Sequence, residues 1–174
     1  MSSDPPFTSP ARAQMIALLP DLRAFARFLV GDRSEADDLV QEALVRALSA
    51  LAQFQDGTSM KAWLFTILRN AFYEQARRRR TELSALEQAA PSEEARAAHQ
   101  ESEAALGDLR RLVLILPPLL REALVLVGAQ GLSYEEAAAI CRVPIGTMKA
   151  RVSRARSRIA RSMEGEPNDR LVNK

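Results

Sequence analysis

The stretch from Leu132 to Met163, LSYEEAAAICRVPIGTMKARVSRARSRIARSM, leaves few folding options. Ser133, followed three residues on by Glu136, is a capping box that opens a short apolar helix through Ile140. Cys141 to Pro144 interrupts the pattern and a second, basic helix follows, so the segment reads as a helix-turn-helix. At about 100° per residue, Met148, Val152, Ala155 and Ile159 fall on one side of the second helix and form its buried stripe. The opposite side carries Gly146, Ala150, Ser153 and Ser157 together with Arg154, while Lys149, Arg151, Arg156 and Arg158 line the flanks. Small residues let a helix enter a DNA groove, and long cations on its edges reach phosphates. The competing reading is a solvated, Arg-rich face on an ordinary amphipathic helix. Against it stands the charge count: Arg142 to Arg161 contains seven cations and no acid. Unopposed charge at that density favours an anionic partner.

The remainder of the chain reads as helices that present or support this element. Its 174 residues fit one domain or two small ones, and with 5% aromatics and an apolar content dominated by Ala and Leu, helices are expected almost throughout. Net charge is only +2, but it is segregated into basic stretches at Arg77–Arg80 and in the last helix, with an acidic stretch between them. A single cysteine, Cys141, excludes an intramolecular disulfide, and a single histidine, His99, gives no basis for a zinc cluster. Neither a signal peptide nor a membrane span is visible, so a reducing, cytoplasmic setting is expected, with no cofactor.

Residues 1–8 are Ser- and Pro-rich and expected to be disordered. Ser9 and Pro10 then offer a cap and first-turn proline to a helix carrying Leu18, Leu22, Phe25 and Leu29, with Pro20 predicting a kink or two abutting helices. Gly31-Asp32 ends it. Ser34 with Asp37 predicts a capping box for a helix from Glu35 to about Leu51. Its apolar arc is Leu39, Val40, Ala43, Leu44, Ala47 and Leu51, and its outer ridge is Asp38, Gln41, Glu42 and Val45. A solvated acidic face and a partner surface both fit that ridge, and the exposed Val tilts the balance toward a partner.

A loop, Phe54 to Ser59, precedes a helix predicted from Met60 to about Arg79, with Ser59 as its cap. Trp63, Leu64, Phe65, Ile67, Leu68, Ala71 and Phe72 cover more than half its circumference, which makes it the expected buried centre of a first domain. Its continuous polar stripe is Thr66, Arg69, Asn70, Tyr73 and Arg77. That stripe is either a polar edge with a snorkelling arginine tail or a surface for single-stranded nucleic acid, where cations meet phosphates and an aromatic ring meets a base. Residues 81–107 carry six Glu against one Arg and read as a flexible acidic linker. A second domain, 108–163, begins with a short helix bearing Leu109, Leu112, Val113 and Leu116. Pro117-Pro118 then starts an apolar helix, Leu119 to Val127, ending at Gly128. The polar tail, 164–174, is expected to fray.

Three runs, EADDLVQEALVRAL from Glu35, DGTSMKAWLFTILRN from Asp56 and LSYEEAAAICRVPIGTMKARVSRAR from Leu132, together resemble the extracytoplasmic-function (ECF) class of bacterial RNA polymerase sigma factors. The middle run and the surroundings of Cys141 are most similar to the EcfG-type general stress response group of alphaproteobacteria. The resemblance spans about Pro10 to Met163 and implies an all-α chain: a sigma2-like domain at 9–80 and a sigma4-like helix-turn-helix domain joined by the linker. It further implies that Asp38, Gln41 and Glu42 dock on the coiled coil of the largest polymerase subunit, with the flap as a second contact on the core enzyme. Asp56, Gly57, Thr58, Ser59, Lys61, Arg69, Asn70, Tyr73 and Arg77 would handle the melted minus-10 element of promoter DNA. Lys149, Ala150, Arg151, Ser153, Arg154, Arg156 and Arg158 would hold the minus-35 element. A NepR-like anti-sigma protein is the implied regulator, and no membrane is involved. Arg142 departs from the glycine often found in the family's turn.

Two rivals belong to other classes. A sigma-like decoy that only binds an anti-sigma protein, such as the output domain of a PhyR-type regulator, would not need an intact basic helix and would carry a receiver domain. A dimeric helix-turn-helix repressor leaves the Trp63 helix and its stripe unexplained. An enzyme is least supported, since no phosphate loop, metal cluster or nucleophile-base pair is apparent.

Overall fold

The computed structural model describes residues 10–55, 57–87 and 107–163. The chain divides into two compact units, residues 1–100 and 101–174, and every regular element among the described residues is helical.

In the first unit, Pro20 sets the geometry of the opening helices. α1 (Pro10–Ala17) and α2 (Leu19–Val30) abut at Leu18, whose N–H reaches the Gln14 and Met15 carbonyls, both at 3.2 Å. A proline in the first turn of α2 needs no donor there, so the break costs little. Ser9, the expected cap of α1, lies outside the described residues. Gly31, at φ 84°, turns the chain into the left-handed region and donates to the Arg27 carbonyl, which ends α2 as expected.

α3 (Arg33–Ser49) starts earlier than its sequence pattern suggests. Its cap is Asp32, in extended backbone and accepting from the Glu35 N–H at 2.9 Å, rather than Ser34. The helix ends at Ser49, and a single 3-10 turn, Leu51–Gln53, follows. α4 (Met60–Glu87) is longer than expected by two turns. The sequence after Arg80, TELSALE, consists mainly of good helix formers, and the next helix breaker is Pro91. The predicted start of the linker is therefore helix, and residues 88–106 lie outside the described residues.

α4 packs on α1, α2 and α3, so it is central. Its buried face is narrower than its composition suggests: Met60, Leu64, Phe65, Leu68 and Ala71 are buried, whereas Trp63, Ile67 and Phe72 are half-buried. Ala36, Ala43 and Ala47 of α3 let the two helices approach closely. Phe25 and Phe65, both fully buried, meet with ring centroids 4.9 Å apart. Each contributes about 1.5–3 kcal/mol by removal from water.

The second unit contains α5 (Gly107–Leu114), α6 (Pro118–Leu124), α7 (Tyr134–Cys141) and α8 (Ile145–Met163). Leu109, expected in the inner stripe of α5, is 59% exposed; Val113 and Leu116 are buried. α6 stops at Leu124 instead of running through Val127, because the backbone widens into a π turn over Val125–Ala129. There the Gln130 N–H reaches the Val125 carbonyl at 2.9 Å, and Gly131 (φ 68°) reverses the chain toward α7. Leu116, Leu120 and Ala155 form a core joined by Leu124 and Ile159, fastening α6 to α8. No helix among the described residues is long and apolar enough to cross a membrane.

Candidate nucleic-acid interface

The helix-turn-helix is built as its sequence predicts. Ser133 Oγ accepts from the Glu136 N–H at 3.0 Å, and the Ser133 N–H donates to Glu136 Oε2 at 2.9 Å. α7 ends at Arg142, which occupies the left-handed region at φ 54° and ψ 48°, while the Val143 N–H returns to the Ala138 carbonyl. A side chain other than glycine in that conformation costs about 1 kcal/mol, and the Arg142 side chain is exposed.

In α8 the angular division holds residue by residue. Met148, Val152 and Ala155 are buried and Ile159 is half-buried on the core, whereas Gly146, Ala150, Ser153, Arg154 and Ser157 are exposed on the opposite side. The flanks are unlike each other. Arg151 and Arg158, both half-buried, join Arg154 and Arg161 along a cavity of about 490 Å³ whose other wall is Pro117, Leu119 and Leu120. On the other flank Lys149 and Arg156 are exposed, and the Lys149 ammonium lies 5.8 Å from the centroid of the Tyr134 ring. Tyr134 was not among the predicted site residues; its ring sits on α7, and only tertiary packing brings it under Lys149. Arg154 Nε donates to the Ala150 carbonyl at 3.2 Å and Arg161 Nε to that of Ser157 at 3.3 Å, so both guanidinium groups lie along their own helix. None of the α8 cations forms an ion pair among the described residues.

In the first unit, Asp56 lies outside the described residues. Its neighbours form a tight entry to α4: Gly57 is at φ 88°, Thr58 Oγ1 donates to the Gln55 carbonyl at 2.7 Å, and Ser59 Oγ accepts from the Ala62 N–H at 3.1 Å. Phe54 packs on Trp63 with centroids 5.2 Å apart, holding this loop against the helix. Lys61 is paired with Asp21 at 2.8 Å and lies over the Phe65 ring. Along the polar stripe, Thr66, Arg69, Asn70 and Tyr73 are half-buried and Arg77 is exposed. The Arg69 guanidinium lies 4.5 Å from the Tyr73 ring centroid, and Phe72 meets the same ring edge-on at 5.1 Å, so Tyr73 is held in place.

Asp38 and Gln41 are exposed on α3, with Val45 (64% exposed) and Leu48 (49%) beside them. Leu48 extends the ridge beyond its predicted members. Glu42 faces elsewhere: it pairs with Arg46 at 2.5 Å and accepts from Gln75 Nε2 of α4. Arg46 also reaches Glu74 at 2.8 Å. The hydrogen bond from Arg46 holds the Glu74 carboxyl below its ordinary pKa, and the two carboxylates raise that of Arg46 against the opposing effect of burial.

Residues 15–82 match the family description Sigma-70 region 2, and residues 106–159 match Sigma-70, region 4. The chain is 46% identical over 159 residues to the ECF RNA polymerase sigma factor EcfG of Rhodopseudomonas palustris, covering 89% of this chain and 86% of that protein. It is 33% identical over 150 residues to a probable RNA polymerase sigma-C factor of Mycobacterium bovis, covering 86% and 80% respectively. Among solved structures it is similar to the sigma factor RpoE crystallised with the anti-sigma factor NepR from Bartonella quintana. That match has a TM-score of 0.75 and 42% identity over 91% of this chain and 98% of that one. A complex of PhyRSL with NepR from Sphingomonas shares the fold alone, with TM-score 0.71 and 21% identity over 95% of this chain and 98% of that one. The chain belongs to the ECF family of RNA polymerase sigma factors.

Proposed function

We propose that this chain brings core RNA polymerase in the cytoplasm to the promoters of a general stress response, reading each promoter at two points. The observation that carries this reading is the division of α8 into a buried apolar stripe and an exposed face of small residues edged by unpaired cations. That helix holds the minus-35 element through Lys149, Ala150, Arg151, Ser153, Arg154, Arg156 and Arg158. With Gly, Ala and Ser facing the bases, few bidentate contacts are available, so much of the discrimination there comes from DNA shape.

The α4 stripe handles the melted minus-10 element. Extruding a base costs a few kcal/mol, which stacking and a snug loop must offset. Asn70 and the braced Tyr73 supply the polar and aromatic partners, Asp56, Gly57, Thr58 and Ser59 act with them, and Lys61 adds a cation from the first turn of α4. Asp38 and Gln41, exposed beside Val45 and Leu48, form the docking ridge for the largest polymerase subunit, with the flap as a further contact. Glu42 serves that ridge through its tie to α4. The identity to EcfG supports the stress assignment and a NepR-like anti-sigma protein as regulator.

Run-off transcription with purified core polymerase on a promoter library tests this. Added protein is expected to give promoter-specific transcripts that disappear when a NepR-like protein is supplied. Binding to that protein without any specific transcript would favour a decoy, a class with which this chain shares fold but only 21% identity in the PhyRSL complex.

A further inference from the structure

A charged seam separates the exposed ridge of α3 from the polar stripe of α4. Glu42 and Arg46 stand about 40° and about 80° round α3 from Asp38, on the side that meets α4, and Arg46 joins Glu42 at 2.5 Å to Glu74 at 2.8 Å. Glu74 in turn borders the stripe. At about 100° per residue it falls within about 40° of Asn70 and about 60° of Arg77. Its side chain is 48% exposed, so a carboxylate stands at the edge of the surface proposed to meet the melted strand. Arg78 and Arg77 also draw on that carboxyl, but its strongest tie is the hydrogen bond from Arg46. Glu74 is thus fastened toward α3, across the seam and off the stripe.

We infer that Arg46 is a positioning residue for minus-10 recognition: by fastening Glu74 to α3 it keeps an anionic side chain off the path of the DNA strand beside Asn70 and Tyr73. This rests on the minus-10 role proposed for the stripe. Two physical effects follow if the clamp is lost. A free carboxylate one turn from Asn70 can accept a hydrogen bond from the Asn70 amide, as polar pairs four apart on a helix do, and so occupy the group meant for a base. It also repels the phosphates of an approaching strand and competes with them for Arg77, which belongs to the stripe. Arg46 touches no DNA in this reading; it acts through Glu74.

The test is a double-mutant cycle read by binding of holoenzyme, formed with saturating core polymerase, to fork DNA that carries a melted minus-10 element and no minus-35 element. Arg46→Gln is expected to weaken binding about 3- to 10-fold. Adding Glu74→Gln should restore it to within about twofold of wild type, because the offending carboxylate is gone. The double variant still lacks the ion pair, so a loss caused by weaker α3–α4 packing would persist in it. Asp37→Asn removes the same charge from a carboxylate that faces Arg23 of α2, and added to Arg46→Gln it should restore nothing. Arg46→Lys keeps the charge but not the two-pronged guanidinium. It should show a smaller loss, restored in the same way by Glu74→Gln, and it carries the test if Arg46→Gln folds poorly. Unchanged binding in Arg46→Gln, a double variant as weak as the single one, or equal recovery with Asp37→Asn overturns the inference. Tyr73→Ala on the same fork tests the stripe itself. Unchanged affinity there refutes the stripe and the inference with it, whereas a loss with Tyr73→Ala and none with Arg46→Gln refutes the inference alone.

Discussion

Both units are rich in charge, yet they use it in opposite ways. In the first, Lys61 meets Asp21, Arg46 bridges Glu42 and Glu74, Arg79 meets Glu35, and Arg23 lies 3.7 Å from Asp37. Those pairs tie α2, α3 and α4 together, whereas Arg33, Asp38 and Arg77 are exposed outside them. In the second, the cations of α8 have no acid within their own helix and no ion pair among the described residues. Half-exposed pairs that satisfy each other contribute little to long-range attraction, whereas a row of unopposed guanidinium groups projects a field that a polyanion feels. The first unit therefore spends charge on geometry and the second on binding.

The largest effect that would break this contrast is expected at Arg154. It is exposed on the small-residue face of α8 and at the edge of the cavity against α6. Arg154→Ala should weaken minus-35-dependent initiation by about 1–3 kcal/mol without changing the thermal stability of the chain. Unchanged transcription would remove Arg154 from the DNA surface and leave the charge of α8 without its proposed use.

A smaller effect probes the first unit. Arg46→Met leaves Glu42 and Glu74 without their shared cation, and the full chain should unfold about 3–6 °C lower at neutral pH. The sign with pH follows from Glu74, whose folded pKa is depressed chiefly by the Arg46 hydrogen bond. Its contribution is present above the ordinary carboxylate pKa and lost as pH falls through the lowered value, so wild type and variant should converge on acidification. Thermal melts from neutral to acidic pH check this. A gap that persists in acid would mean that Arg46 acts through packing of its stem.

What the sequence disclosed differs between the units for the same physical reason. In α8 the buried stripe, the outward Ala150, Ser153 and Arg154, and the Ser133–Glu136 box were legible, because each depends on helical period or on neighbours within one turn. The start of α3 was misread because Asp32 and Ser34 are each followed three residues on by an acid. The choice is made by Gly31, whose positive φ delivers Asp32 in extended backbone. The position of Glu42 was hidden because its partner Gln75 is 33 residues away, and Lys149 on Tyr134 is likewise a tertiary contact. The π turn after Leu124 shifts hydrogen bonds by one residue without changing residue type, so no local pattern announces it.

The smallest effect, at Arg142, sharpens the contrast most. Its backbone sits at φ 54°, where glycine carries no Cβ penalty, yet it contributes a cation to the turn that precedes α8. If charge in this unit serves binding, a strained arginine is explained by a phosphate contact. Arg142→Gly should then raise stability by about 0.5–1 kcal/mol while lowering the salt slope of promoter binding by about 1. Arg142→Asn tolerates the same conformation without the charge, so it should lower the slope as far while raising stability less. Thermal melts combined with a salt series on minus-35 duplex by holoenzyme separate the two contributions. A gain in stability with an unchanged slope for both variants would place Arg142 outside the DNA surface and confine the binding charge of this unit to α8.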